Sequence, residues 1–140
     1  MLRITTFALG LATLCSGPVL SETYYIAPPG TVSAGIADGS QARPFVGVET
    51  PFALAKVKGG DTLLLLDGAY GPVYLHRNHS FDQPVVIQSL TERNAQIDFI
   101  QISNAARNIT LRKLGVWPSD PAAGRNYLIR AFDSTSDIIL

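Results

Sequence analysis

The stretch LRKLGVWPSDPAAGRNYLIR, Leu111 to Arg130, mixes cations and aromatics densely. Arg112, Lys113, Arg125 and Arg130 are candidates for pairing with the carboxylates of an acidic ligand. Trp117 and Tyr127 are candidates for stacking on the flat apolar face of a sugar ring. A Lys or Arg serves as a general base only where neighbours or burial depress its pKa. Nothing in the local sequence supplies such an environment, so no catalytic residue is assigned. The competing reading leaves Arg112 and Lys113 in water on an outer face and packs Trp117 under its own loop.

The remaining reactive residue types give less. His76 and His79 in LHRNHS are close in sequence, but two histidines without a third ligand make a poor metal site, and solvated turn residues are expected there. Asp133 and Asp137 in DSTSD lack the glycine and distal glutamate of a calcium loop, so corner hydrogen bonding is expected instead. No metal site is assigned. Asn78-His79-Ser80 and Asn108-Ile109-Thr110 match the glycosylation sequon, which matters only in a eukaryotic secretory pathway. No phosphate-binding glycine loop, local Ser/His/Asp signature or reactive cysteine is found.

The 140 residues carry 11 basic and 11 acidic side chains, with no basic stripe that would fit nucleic acid. The N-terminus reads as a secretory leader over residues 1–21. Arg3 forms a short basic region, Phe7 to Leu14 an apolar core, and Gly17-Pro18 a break. Val19 and Ser21 suit the −3 and −1 positions, so the mature chain is expected to begin near Glu22, secreted or periplasmic and free of the membrane. The apolar core is well short of the roughly 20 residues of a membrane span. Cleavage removes Cys15, the only cysteine, so the exported domain is held without disulfides.

Two regions follow, 22–60 and 61–140. In the first, Tyr24 to Ile26 reads as a brief strand ended by Pro28-Pro29-Gly30. A helix of about two turns is expected from Pro51 to Lys58, with Thr50 as N-cap, Pro51 at the first position and Gly59-Gly60 as the stop. In the second, the run Leu63-Leu64-Leu65-Leu66 is bounded sharply by Gly60-Asp61 and Asp67-Gly68, which marks a buried strand. Apolar strands then recur. Thr62, Val85 and Ile109 open one series at nearly even steps, and the next step, from Ile109 to Ile138, is longer. A second series takes a matching even step from Val73 to Ile97 and a similarly longer one from Ile97 to Tyr127. Both lengthen at the same place, which puts an insertion between Val116 and Tyr127.

The even step, a period of roughly 24 residues, combines with short strands and no convincing repeat helix, and it reads as a β-solenoid. In such a fold each strand stacks on its counterpart one coil later. Asn108 and Asp137, each just before an apolar strand, suit its corners. Expected core residues are Leu64, Leu66, Val86, Ile97, Phe99, Ile109, Leu111 and Ile129. The chain ends in SDIIL at the start of a strand, so these residues are expected to be the N-terminal part of a longer protein, with further coils downstream.

Thr23 to Ile26, Pro44-Phe45, Thr50 to Val57, Gly60-Asp61-Thr62, Asp67-Gly68-Ala69-Tyr70, Pro84 to Ile87 and Asn108 to Leu111 together resemble the exported proteins of the pectin-lyase-like superfamily. The resemblance covers most of the mature chain and implies an all-β fold: a right-handed parallel β-helix with a short N-terminal capping helix, incomplete at its C-terminus. The pattern looks most like alginate-lyase and chondroitinase-B-type polysaccharide lyases. That implies acidic, uronate-containing polysaccharide as partner and β-elimination as chemistry, with a Lys or Arg abstracting the C5 proton. It implies no cofactor in this portion and Ca²⁺ as a possible cofactor of the full-length protein. The catalytic residues of such enzymes generally lie on later coils, and none is carried over by motif. A non-catalytic glycan-binding or adhesion solenoid and a purely structural one stay open, because fold alone does not choose among them.

Overall fold

The computed structural model describes residues 20–31, 35–103, 105–120, 127–132 and 136–140. Most of the leader, Arg125 and Asp133 therefore lie outside the described residues. The elements in chain order are β1 (Thr23–Ala27), β2 (Phe45–Val46), α1 (Glu49–Ala53), β3 (Thr62–Leu65), β4 (Gly68–Ala69), β5 (Pro72–Leu75), β6 (Ser80–Ser89), β7 (Ala95–Ile97), β8 (Phe99–Ile102), β9 (Arg107–Arg112), β10 (Gly115–Val116), β11 (Ile129–Ala131) and β12 (Ser136–Ile139).

These strands form three sheets, and every pairing is parallel. The first runs β2-β1-β3-β6-β9-β12, the second β4-β7-β10, and the third β5-β8-β11. The chain visits them in rotation, which is the arrangement of a parallel β-solenoid. Parallel strands ordinarily need long crossovers. Here the path through the other two sheets serves as the crossover, and the corners can be very short.

Inward residues stack in columns because the strands are in register. Tyr24, Leu63, Ile87 and Leu111 align across four strands of the first sheet, and Val85, Ile109 and Ile138 align across three. Val73, Ile100 and Ile129 do the same in the third sheet. Leu63, Leu65, Leu75, Ile87, Ile97, Ile100, Ile102 and Ile109 are all buried in one core. Aligned branched side chains fill a narrow interior, and burial and ladder hydrogen bonding then reinforce each other.

Several expectations need correction. Leu63 and Leu65 face inward, not Leu64 and Leu66, and Val85 and Ile87 face inward, not Val86. A continuously apolar run hides the period-2 signal, so either face is compatible with the sequence. Ile97, Phe99, Ile109 and Leu111 are buried as expected, and Ile129 is half-buried against the core. Thr62 pairs with Val86 and not with Val85, one position later than the spacing implied. The long strand β6 is irregular as well, with a register shift against β9 between Ser80 and Val85. Val73 pairs with Ile100, not Ile97, since Asp98 turns a corner and separates β7 from β8. The second sheet was not legible as a strand series. Its strands are very short and include Gly68, Ala69, Ala95 and Gly115.

The helix is also shorter than expected. It spans Glu49–Ala53, Val48 is its N-cap, and no side chain caps it. Thr50 lies inside the first turn, where its hydroxyl donates to the Val46 carbonyl. Pro51 is the buried residue, while Leu54 is exposed and Ala55 takes a positive φ of 51° that ends the turn.

Three polar residues shape the entries to strands of the first sheet. Asp61, buried, accepts hydrogen bonds from the backbone N–H groups of Glu22 (2.8 Å) and Lys58 (2.7 Å), tying the entry of β3 to the preceding segment. Asn108 sits at a φ of 55° and donates from its side chain to the Phe81 carbonyl of the preceding coil at 2.7 Å. Asp137, at a φ of 54°, occupies the equivalent position one coil later. Asn and Asp tolerate this left-handed region better than most residues, which accounts for a short polar side chain at the second position of both β9 and β12.

Candidate functional site

In the third sheet, Val73, Leu75, Ile100 and Ile102 point inward, so Tyr74, Phe99, Gln101, Leu128 and Arg130 lie on its outer face. Aromatic rings cover that face. Phe99 is only 2% exposed and meets Tyr74 edge to face at 5.4 Å and Tyr127 at 6.3 Å between centroids. Tyr74, at 42% exposed, and Leu128, at 46%, present an apolar surface to solvent. Phe99 thus contacts both tyrosines, Tyr74 of the preceding coil and Tyr127 of the following one.

Arg130 joins these rings. Its guanidinium carbon lies 5.3 Å from the Tyr127 ring centroid and 4.9 Å from that of Phe132. Cation–π contact of this kind orients the planar group without neutralising it. Among the described residues no carboxylate forms a salt bridge with Arg130. A guanidinium oriented beside exposed aromatic rings can take a bidentate carboxylate while a neighbouring ring stacks.

The corner between the second and third sheets carries the insertion. In the first two coils the corner is only Tyr70-Gly71 or Asp98, whereas residues 117–128 separate β10 from β11, and of these 121–126 lie outside the described residues. Asp98 anchors its beginning, accepting from the Ser119 backbone N–H at 3.0 Å and from its hydroxyl at 3.1 Å. Trp117 lies over Gly115: a Cβ there would come within 2.7 Å of the indole and of the Arg93 carbonyl. Gly115 is therefore required by the close approach of ring and backbone, and Trp117 stays 46% exposed.

The structure separates the residues singled out from sequence. Tyr127 and Arg130 sit together on the outer face of the third sheet, with Trp117 at the adjoining corner. Arg112 is on the outer face of the first sheet, in a row with Tyr25, Leu64 and Gln88, and Lys113 occupies the following corner. Both are exposed. Arg125 lies outside the described residues. Tyr74, Phe99 and Phe132 were missed, because their membership depends on a register that the sequence leaves open. Among the described residues no three His, Cys, Asp or Glu side chains form a group able to hold a metal ion. No calcium-dependent step is assigned to these coils.

His79 is not the solvated turn residue expected. It is 1% exposed, packed edge to face against Phe52 of α1 at 4.3 Å and against His76 at 4.6 Å. The tight turn returns the His79 N–H to the His76 carbonyl and draws the ring under the helix.

The chain matches no known family, no curated protein and no solved structure in comparisons with each. The class defined by the coordinates is therefore the fold itself, a parallel β-solenoid with one elaborated corner.

Proposed function

We propose that these residues belong to an exported right-handed parallel β-helix protein that binds uronate-containing polysaccharide, and that the whole protein is a polysaccharide lyase acting by β-elimination. The observation that carries the binding part is Arg130 held between Tyr127 and Phe132 on a face with exposed Tyr74 and Leu128. A linear acidic glycan alternates flat apolar ring faces with carboxylates, and this face offers complementary aromatics and a cation. The handedness follows the strong preference of parallel crossovers. The α1 segment acts as the cover of the first coil. The lyase part rests on the resemblance of the cap and first coils, together with the parallel coils that it implied.

The test is binding of the whole protein to polygalacturonate, alginate and chondroitin-type oligosaccharides, with ultraviolet detection of unsaturated uronate ends. Arg130→Ala is expected to weaken binding about tenfold, in keeping with the ~1.5–3 kcal/mol of a hydrogen bond to a charged group. Binding without unsaturated product would leave a glycan-binding solenoid and remove the lyase. Unchanged affinity in Arg130→Ala would remove the third-sheet face from the binding site.

A further inference from the structure

Three side chains cross the coils in one line on the outer face of the third sheet. Tyr74 of β5 pairs with Gln101 of β8, and Gln101 pairs with Arg130 of β11. Parallel strands in register set these outward side chains next to one another, one interstrand step of about 4.8 Å apart. β8 is the middle strand of its sheet, so ladder bonding on both sides fixes the backbone of Gln101. Its side chain is half-buried, and among the described residues its amide makes no hydrogen bond. That leaves a free donor and a free acceptor between an exposed ring and a guanidinium.

We propose that Gln101 is the specificity-determining residue of this face, selecting uronates with free ring hydroxyls over uronates in which those hydroxyls are O-acetylated. This role rests on the third-sheet face being the uronate site. With a carboxylate on Arg130, the hydroxyls of the same ring come within one interstrand step, where Gln101 stands. Its Oε1 accepts a hydroxyl proton, and its Nε2 donates to a neighbouring hydroxyl oxygen. The next ring along the line meets Tyr74. O-acetylation removes the hydroxyl proton, leaves Oε1 without a donor and adds bulk between Tyr74 and Arg130. A site built to hydrogen-bond a hydroxyl rejects an analogue that lacks it, because its own polar group is left unpaired. Gln88 of the first sheet is the internal comparison. It pairs with Arg112 as Gln101 pairs with Arg130, but its other neighbour is Leu64 in place of an aromatic ring.

The experiment is a ¹H–¹⁵N titration with oligosaccharides of polygalacturonate, alginate and chondroitin, each with free and with chemically O-acetylated ring hydroxyls. The wild-type protein is expected to bind at least one free form about fivefold more tightly than its acetylated form. In Gln101→Ala that ratio is expected to fall to about one, through weaker binding of the free form, whereas Gln88→Ala keeps it. Gln101→Glu sets a carboxylate beside Arg130 and is expected to weaken both forms roughly fivefold. The spectrum away from the third sheet is expected to stay in place in all three variants. A ratio near one in the wild type, an unchanged ratio in Gln101→Ala or an equal loss in Gln88→Ala would overturn the role of Gln101 and leave the third-sheet site standing. Unchanged affinity in Gln101→Glu would do the same. Absence of saturable shifts on the third sheet with every free oligosaccharide would remove the site itself, and this role with it.

Discussion

Replacing Ile87 with Ala tests the register of the solenoid against its nearest alternative. Ile87 is 1% exposed and stands in one column with Leu63 on one side and Leu111 on the other. The ladders hold these neighbours at the interstrand spacing of about 4.8 Å, so they cannot close in on the space that Ala would leave. The cost should lie in the usual range for a buried Ile truncated to Ala, ~2–5 kcal/mol, and near ~3 kcal/mol here. Val86→Ala, one residue away on the outer face, should cost about 1 kcal/mol or less. In urea, with a slope of about 1.5 kcal/mol per molar, the difference separates the two midpoints by more than ~1 M with slopes unchanged. Equal losses, or a larger loss for Val86→Ala, would refute the assignment and restore the register slipped by one residue.

Asn108→Ala should cost about 2 kcal/mol, combining a left-handed backbone on an ordinary residue with the lost bond to the Phe81 carbonyl; Asn108→Gly should cost about half as much, read from the same urea curves. Tyr70, whose hydroxyl donates to the Ile26 and Leu66 carbonyls, has its pKa pushed well above 10, first by burial and then by the Asp67 charge. Its folded value is raised, so its contribution is complete below about pH 10 and is lost as pH climbs through the folded value; Tyr70→Phe should lack that alkaline loss while costing about 1–2 kcal/mol at neutral pH. Gly115→Ala should displace the indole of Trp117, the only tryptophan, shifting its emission and costing ~1–3 kcal/mol.

Repetition and bounded apolar runs made the solenoid legible, because each coil must repeat the same inward positions to build a common core. Ile109 pairing with Ile138 was readable from spacing alone. The face of Leu63 to Leu66 was not, since four consecutive leucines satisfy either phase, and inward packing is decided by partners such as Ile26 and Ile87 in other coils. The second sheet escaped because Gly68-Ala69 and Gly115-Val116 carry little or no apolar periodicity. Tyr127 and Arg130 were visible as residue types, but the contact of Tyr127 with Phe99 required knowing that Asp98 is a corner. His79 escaped for a related reason: its burial comes from α1, whose Phe52 and Glu49 are far away in sequence.

The most direct test of the polysaccharide-binding account is a chemical-shift map of the ¹⁵N-labelled protein titrated with a uronate oligosaccharide at low salt. The account predicts saturable shifts along the outer face of the third sheet, at Tyr74, Phe99, Tyr127, Leu128 and Arg130, and weaker binding as salt is raised. Shifts confined to Arg112 and Lys113 on the first sheet, or no saturable shifts with any of the three polymer types, would contradict it.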